Sequence, residues 1–215
     1  MKGIFHREIT VTAIGERFSP PALDIVIAAN LEQDKILGQL FHPEYHFDAN
    51  HFQEGEDYIE SQRKVVLEAL QNPQKPSEET ARSAFGHLIH AAQDFYAHSN
   101  YISLWIGRHT RGKRPDPEQT DALDPQLIHS PSLRSGKVYY PFELLSFIPA
   151  LEPHIRPLLP LDSHARMNLD APQRGPYFAY AYQAALKRTR YEFDRTTALL
   201  ERRLGEATLS RFLKG

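Results

Sequence analysis

Gly86-His-Leu-Ile-His-Ala-Ala-Gln-Asp-Phe-Tyr-Ala-His-Ser-Asn100 is the stretch from which the fold is read. As a helix turning ~100° per residue, it sets His90, Asp94 and His98 at about 0°, 40° and 80°, with His87 at about 60°. Four metal-competent side chains then share one narrow arc. A rise of ~1.5 Å per residue parts His90 from His98 by about 12 Å at the backbone, too far for one ion. Asp94, between them, is placed to bridge two. Its neighbours Ala84, Phe85, Leu88, Ile89, Ala91, Ala92 and Phe95 mark a core helix. Ionisable groups buried there are costly unless they are paired or bound to metal, and metal accounts for the joint pattern best.

The rest of the chain narrows the chemistry. Among 215 residues there are 25 basic and 27 acidic side chains, a balance that points to neither nucleic acid nor a charged membrane surface. Cysteine is absent, so thiolate sites and disulfides are excluded and any metal must be held by His and carboxylate. No long apolar run opens the chain and no stretch of about 18 apolar residues follows. The expected location is cytoplasmic, or exported without a recognisable signal peptide.

In chain order, residues 4–14 read as a short helix containing His6. Ser19-Pro20-Pro21 opens a second helix, with Ser19 as N-cap, running towards Asp34. A His-dense, Pro-broken stretch covers 41–51, a third helix about 54–71, and a linker 72–76. Ser77, followed by Glu78 and Glu79, caps the His-rich helix. Eleven of the 16 prolines fall between Asn100 and Pro176, predicting short helices joined by irregular loops. The basic run Arg108 to Arg114 reads as a solvated loop, a phosphate or partner contact being the sharper alternative. A long helix follows Pro176 to about Arg203, and 206–213 adds a last one. No alternating strand pattern is present. The expectation is an all-α chain: one helical domain, 1–215, with a Pro-rich, loop-containing insertion at about 101–163.

The order of the His and Asp residues carries a family resemblance. His90-x-x-x-Asp94 followed by His98, within "HAAQDFYAHSN", is similar to the signature of the Het-C-like proteins, which resemble zinc-dependent phospholipases C and fungal single-strand nucleases. His6 in "HREIT", Asp34 in "AANLEQD", His46 in "HFD" and His164 in "HARMNLD" fall in the same order. The resemblance implies a phospholipase C/single-strand nuclease-like helical domain holding on the order of two to three zinc ions. It implies that His6 and Asp94 hold one ion, that Asp34, His46, His90 and Asp94 hold a second, and that His98 and His164 hold a third. Asp34 is then also the catalytic base. Asn168 stands where the family has a carboxylate, and Asp170 is the nearest replacement. Whether Asp170 or the Met1 amine completes a site stays open.

The function expected is a zinc-dependent phosphodiester hydrolase, phospholipase C-like, in which a metal-activated water attacks a phospholipid in preference to nucleic acid. The alternatives are a single-strand nuclease and a non-catalytic, metal-stabilised binding or toxin-related module. No Glu-x-x-His pair supports a di-iron site, and no Gly-x-Ser-x-Gly supports a serine hydrolase. His42 and His51, flanking the "HFD" element, are candidate partners that orient ligands, and His87 is a candidate for that role or for a ligand. His109, His129 and His154 are expected to be solvated. Tyr45, Phe47, Tyr96, Tyr101 and Trp105 are expected mainly in the core.

Overall fold

A helix with apolar residues around most of its circumference must lie inside its protein, and the His-rich helix does. The computed structural model describes residues 1–35, 42–72, 74, 76–109, 114–148 and 150–215. Its longer helices are α1 (Gly3–Ile14), α2 (Pro20–Glu32), α3 (Phe52–Gln71), α4 (Glu78–His98), α5 (Tyr101–Arg108), α6 (Phe178–Leu204) and α7 (Glu206–Lys214). Of the 21 residues of α4, 16 are buried, so it is the axis on which the others pack. Ser77 caps it as expected, its hydroxyl accepting from the Thr80 N–H at 3.2 Å. Ser19 stands at the N-cap of α2, but its side chain makes no capping bond. Its backbone N–H donates instead to Leu213 O at 2.9 Å, tying α2 to α7. The architecture is all-α, with two isolated bridges and no strand among the described residues.

Helices α2, α3 and α6 pack along α4, and α1 lies across α2 and α6. Gly86 fixes how closely α2 approaches: a Cβ there would lie 2.4 Å from Val26 O and 2.8 Å from Ala29 Cβ. Glu192 of α6 is fully buried between Arg63 and Arg188, with nitrogens of both at 2.5 Å. Arg188 also reaches Glu56 at 2.9 Å. A buried carboxylate held by two guanidiniums is a partnered charge, and it locks α3 to α6. In α1 the inward face is His6, Ile9, Thr10 and Ile14, while Ile4 and Val11 point outward, because 3.6-residue periodicity cannot turn every apolar side chain inward.

Beyond α5 the chain runs through short helices of one or two turns at Pro117–Gln119, Pro125–Ile128, Phe142–Phe147, Glu152–Ile155, Arg156–Leu158 and His164–Met167. Pro at the first turn of most of them starts a helix and shortens it. Of the basic run, residues 110–113 lie outside the described residues. Arg108 pairs with Asp124 at 2.6 Å, and Arg114 lies over the Tyr177 ring. Phe47, Tyr96, Tyr101 and Trp105 are core residues, as expected.

Candidate metal centre

The arc on α4 places Asp94 at the centre of an enclosed polar cluster. Asp94 and His90 are fully buried, and the other ligand-type side chains come from elements far apart in sequence. From α1, His6 Nε2 lies 3.1 Å from Asp94 Oδ1. From the turn Pro43–His46, His46 Nδ1 lies 2.8 Å from Asp94 Oδ2, and His90 Nε2 lies 3.2 Å from the same oxygen. Asp34, just past the end of α2, lies 3.9 Å from His90 Nε2. The Met1 amino group bonds Asp94 and stands 3.2 Å from Asp170 Oδ1 and 3.3 Å from His98 Nε2.

Three imidazoles are aimed by what holds their far side. His6 Nδ1 meets Gln93 Oε1 at 2.6 Å, His90 Nδ1 meets Asn30 Oδ1 at 3.4 Å, and His98 Nδ1 meets His46 O at 3.1 Å. Each oxygen can only accept, so each Nδ1 donates and each Nε2 lone pair turns into the cluster. This is how metal-binding histidines are held. His6 Nε2 and His46 Nε2 are buried without a hydrogen-bond partner. Orphaned ring nitrogens among carboxylates, with no thiolate in the chain, fit a His/Asp-bound divalent ion such as zinc.

Three overlapping groups have ligand atoms within 4.8 Å of one another: His6, Asp34, His90 and Asp94; His46, Asp94 and His98; and Asp48, His98 and His164. The expected residues therefore converge. Asp34 and His90 fall in a group with His6, and His46 in a group with His98, while His46 Nδ1 also lies 3.2 Å from His90 Nε2, so the groups adjoin at Asp94. Asp48 is the residue the sequence reading missed. Its signal was present in His46-Phe-Asp48, two residues past a candidate ligand. Asp48 Oδ1 lies 3.0 Å from His164 Nδ1 and 3.5 Å from His98 Nδ1. Asp170 reaches His98 Nε2 at 3.1 Å, so it borders the cluster as the nearest replacement carboxylate. Asn168 is buried on the cavity wall, its Oδ1 unpartnered among the described residues.

Local backbone geometry serves these placements. Phe47, Ala49 and Asn50 all have positive φ, of 56°, 54° and 63°, a region that costs a side-chain-bearing residue about 1–3 kcal/mol. Asn50 Oδ1 accepts from Ser135 N at 2.8 Å, and Ala49 N donates to Gly136 O at 2.7 Å, holding the turn in that state. At Gly136 a Cβ would lie 2.6 Å from His164 Cα, so only glycine lets the chain at 136 pass this close to the backbone that carries His164.

Charge and burial oppose each other throughout. Burial favours a neutral Asp94, but His98, the Met1 amino group, His6 and His90 outweigh it and hold the carboxyl well below its ordinary value. Burial likewise opposes a charged Asp170, yet the Met1 amino group, His98 and His164 pull it down. His90 is pushed down to about 4 by burial and by His6 beside it, whose ring stacks on it at 4.3 Å. Burial also works against a charged His164, but Asp48, with Asp170 and Glu143, raises it to about 9. Asp34, His46, Asp48, His98, His164 and Asp170 line a cavity of about 410 Å³ that reaches solvent.

Three expected helpers stay outside. His42 stacks on Tyr45 and bonds Glu44 at 2.9 Å, and His51 faces Glu54. His87 is in none of the ligand groups. It lies one turn before His90, near Glu32 of α2. Orientation falls instead to Gln93 and Asn30. His109, His129 and His154 are exposed, as expected.

The described helices include none long and apolar enough to cross a membrane. No solved structure matches the chain. It is similar to the von Willebrand factor A domain-containing protein 7 of Rattus norvegicus, 37% identical over 84 residues, which is 39% of this chain and 9% of that relative. The Mus musculus protein of the same name is 36% identical over 84 residues, with the same shares. The chain thus spans about a tenth of these relatives. The Het-C-like resemblance is overturned, because the family model that matches is a different one, covering residues 3–113. Ligands one turn apart on a helix are what adjoining ions require, so His-x-x-x-Asp-x-x-x-His states a geometry and does not identify a family. That matched stretch takes in a little over half of the chain and every ligand-type residue from His6 to His98, and the chain belongs to the VWA7 N-terminal domain family.

Proposed function

We propose that this chain is a metal-dependent phosphodiester hydrolase, with zinc as the metal and on the order of two to three ions per chain. The observation that carries the reading is the inward aim of His6, His90 and His98 around Asp94, beside an open cavity. Zinc, when bound, supplies Lewis acidity that lowers the pKa of a water and neutralises charge on phosphoryl oxygens. The chain's residues do the rest. Gln93 and Asn30 keep the imidazole tautomers fixed. Asp34, partly exposed at the cavity wall, accepts the proton of the attacking water at its carboxylate. Lys2 on the same wall draws in an anionic diester. The balanced overall charge favours a phospholipid over a nucleic acid as substrate. A helical domain of the phospholipase C/single-strand nuclease type belongs to this reading as an architecture only.

The test is metal content by mass spectrometry together with turnover of bis(p-nitrophenyl) phosphate. Asp94→Ala is expected to lose both metal and turnover. Asp34→Asn is expected to keep the ions held by the other two groups and to lose turnover. Activity that survives Asp94→Ala places the chemistry elsewhere. A second reading, a metal-stabilised module without catalysis, is favoured by the zero exposure of His6, His90 and Asp94. Metal at full occupancy with no turnover selects it.

A further inference from the structure

One wall of the cavity, through Val138, Ser146 and Glu152, comes from the segment of short helices at 138–161. The same segment bears seven of the ten exposed large apolar side chains among the described residues, including Leu145 and Ile148. Leu158 and Leu161 are 70% and 77% exposed. Such a concentration on one segment marks an interaction surface, whereas scattered apolar residues do not.

Its charge pattern narrows the occupant. From Val138 to Leu151 the only formal charge is Glu143. That carboxylate is buried, accepting from the backbone N–H of Tyr139 at 2.7 Å and of Ala165 at 2.6 Å. The outward face there is therefore neutral and apolar. At its border lies a second hollow of about 300 Å³, which shares Lys2, Glu152 and Arg174 with the metal cavity and adds Arg156. Arg174 is paired with Glu152 at 2.5 Å. The side chains of Lys2 and Arg156 make no hydrogen bond or ion pair among the described residues. A second copy of the chain on this face would bring its own unpaired cations to the same border.

We infer that the 138–161 segment docks on the surface of a phospholipid bilayer containing anionic lipid, with Leu158, Leu161 and their neighbours in the interface and Lys2 and Arg156 on lipid phosphates. The metal cavity then opens onto the headgroup layer. This rests on the hydrolase reading for its consequence, though docking itself does not require turnover. Apolar insertion and cation–headgroup attraction add, and the second weakens with salt.

The test is flotation of the zinc-loaded 215-residue chain with vesicles of phosphatidylcholine, with and without one-fifth phosphatidylserine. Binding is expected to be stronger with phosphatidylserine and weaker in high salt. The double variant Leu158→Ser/Leu161→Ser is expected to bind at least about tenfold less. Arg156→Ala is expected to lose about fivefold, on the serine-containing vesicles only. Turnover of bis(p-nitrophenyl) phosphate should be unchanged in these variants. Absence of wild-type flotation, or equal flotation of the double variant, overturns docking. Flotation that follows this pattern without turnover of the soluble diester upholds docking and removes the hydrolase reading.

Discussion

At the scale of single residues, Asp94 receives contacts at both carboxylate oxygens, His6 on one and His46 and His90 on the other. The arc on α4 made Asp94 legible in advance. Gln93, its neighbour, was not. It points about 100° away from Asp94 around the helix, towards Thr10 of α1 and Thr189 of α6, and only their arrival reveals its role. Its amide donates to both hydroxyls, which leaves Oε1 to accept from His6. Gln93→Leu is expected to free the His6 ring and lower metal affinity about 10- to 100-fold. Competition against a chromogenic chelator measures this, with helicity unchanged. An affinity equal to wild type would show that the Gln93–His6 bond does not orient the ligand.

At the scale of elements, the crossing of α2 over α4 decides how far Asn30 and Asp34 stand from His90. Gly86 opens the motif, but in the sequence nothing marks it as a contact point. Its meaning comes from Val26 O, 2.4 Å from where a Cβ would be. Gly86→Ala forces the backbones apart against a packed core and is expected to cost about 1–3 kcal/mol in a urea titration. It should also weaken metal binding, because Asn30 moves with α2. A variant as stable as wild type would mean that the crossing relaxes freely. The turn carrying His46 and Asp48 teaches the same lesson. Pro43 and the dense His showed a break in the helices, but not that three left-handed residues would bring Asp48 beside His164.

At the scale of the whole molecule, ligand-type side chains as far apart in sequence as Asp34 and Asp170 meet in one cavity, so an ion bound there would couple its binding to folding. Zinc at a hundredfold excess over its dissociation constant is expected to stabilise the fold by about 2.7 kcal/mol. For a chain of this size that raises the melting temperature by several degrees, about 2–4 °C per kcal/mol. A chelator should reverse the rise, and Asp94→Ala should abolish it. Identical melting with and without zinc would remove metal from the account. The family match ends at residue 113, so the group formed by Asp48, His98 and His164 draws its last ligand from beyond it.

Composition alone determined that any metal here is held by imidazole and carboxylate, since no thiolate exists. Helical periodicity alone determined that His90, Asp94 and His98 face one way. Both follow from local chemistry and from the fixed pitch of the backbone. Only the tertiary structure decided which ligand-type residues lie together, that Asp48 joins them, and that a segment rich in exposed apolar side chains borders the cavity. Those depend on distances between elements, which are set by packing at Gly86 and Gly136 and by the buried Arg63–Glu192–Arg188 cluster.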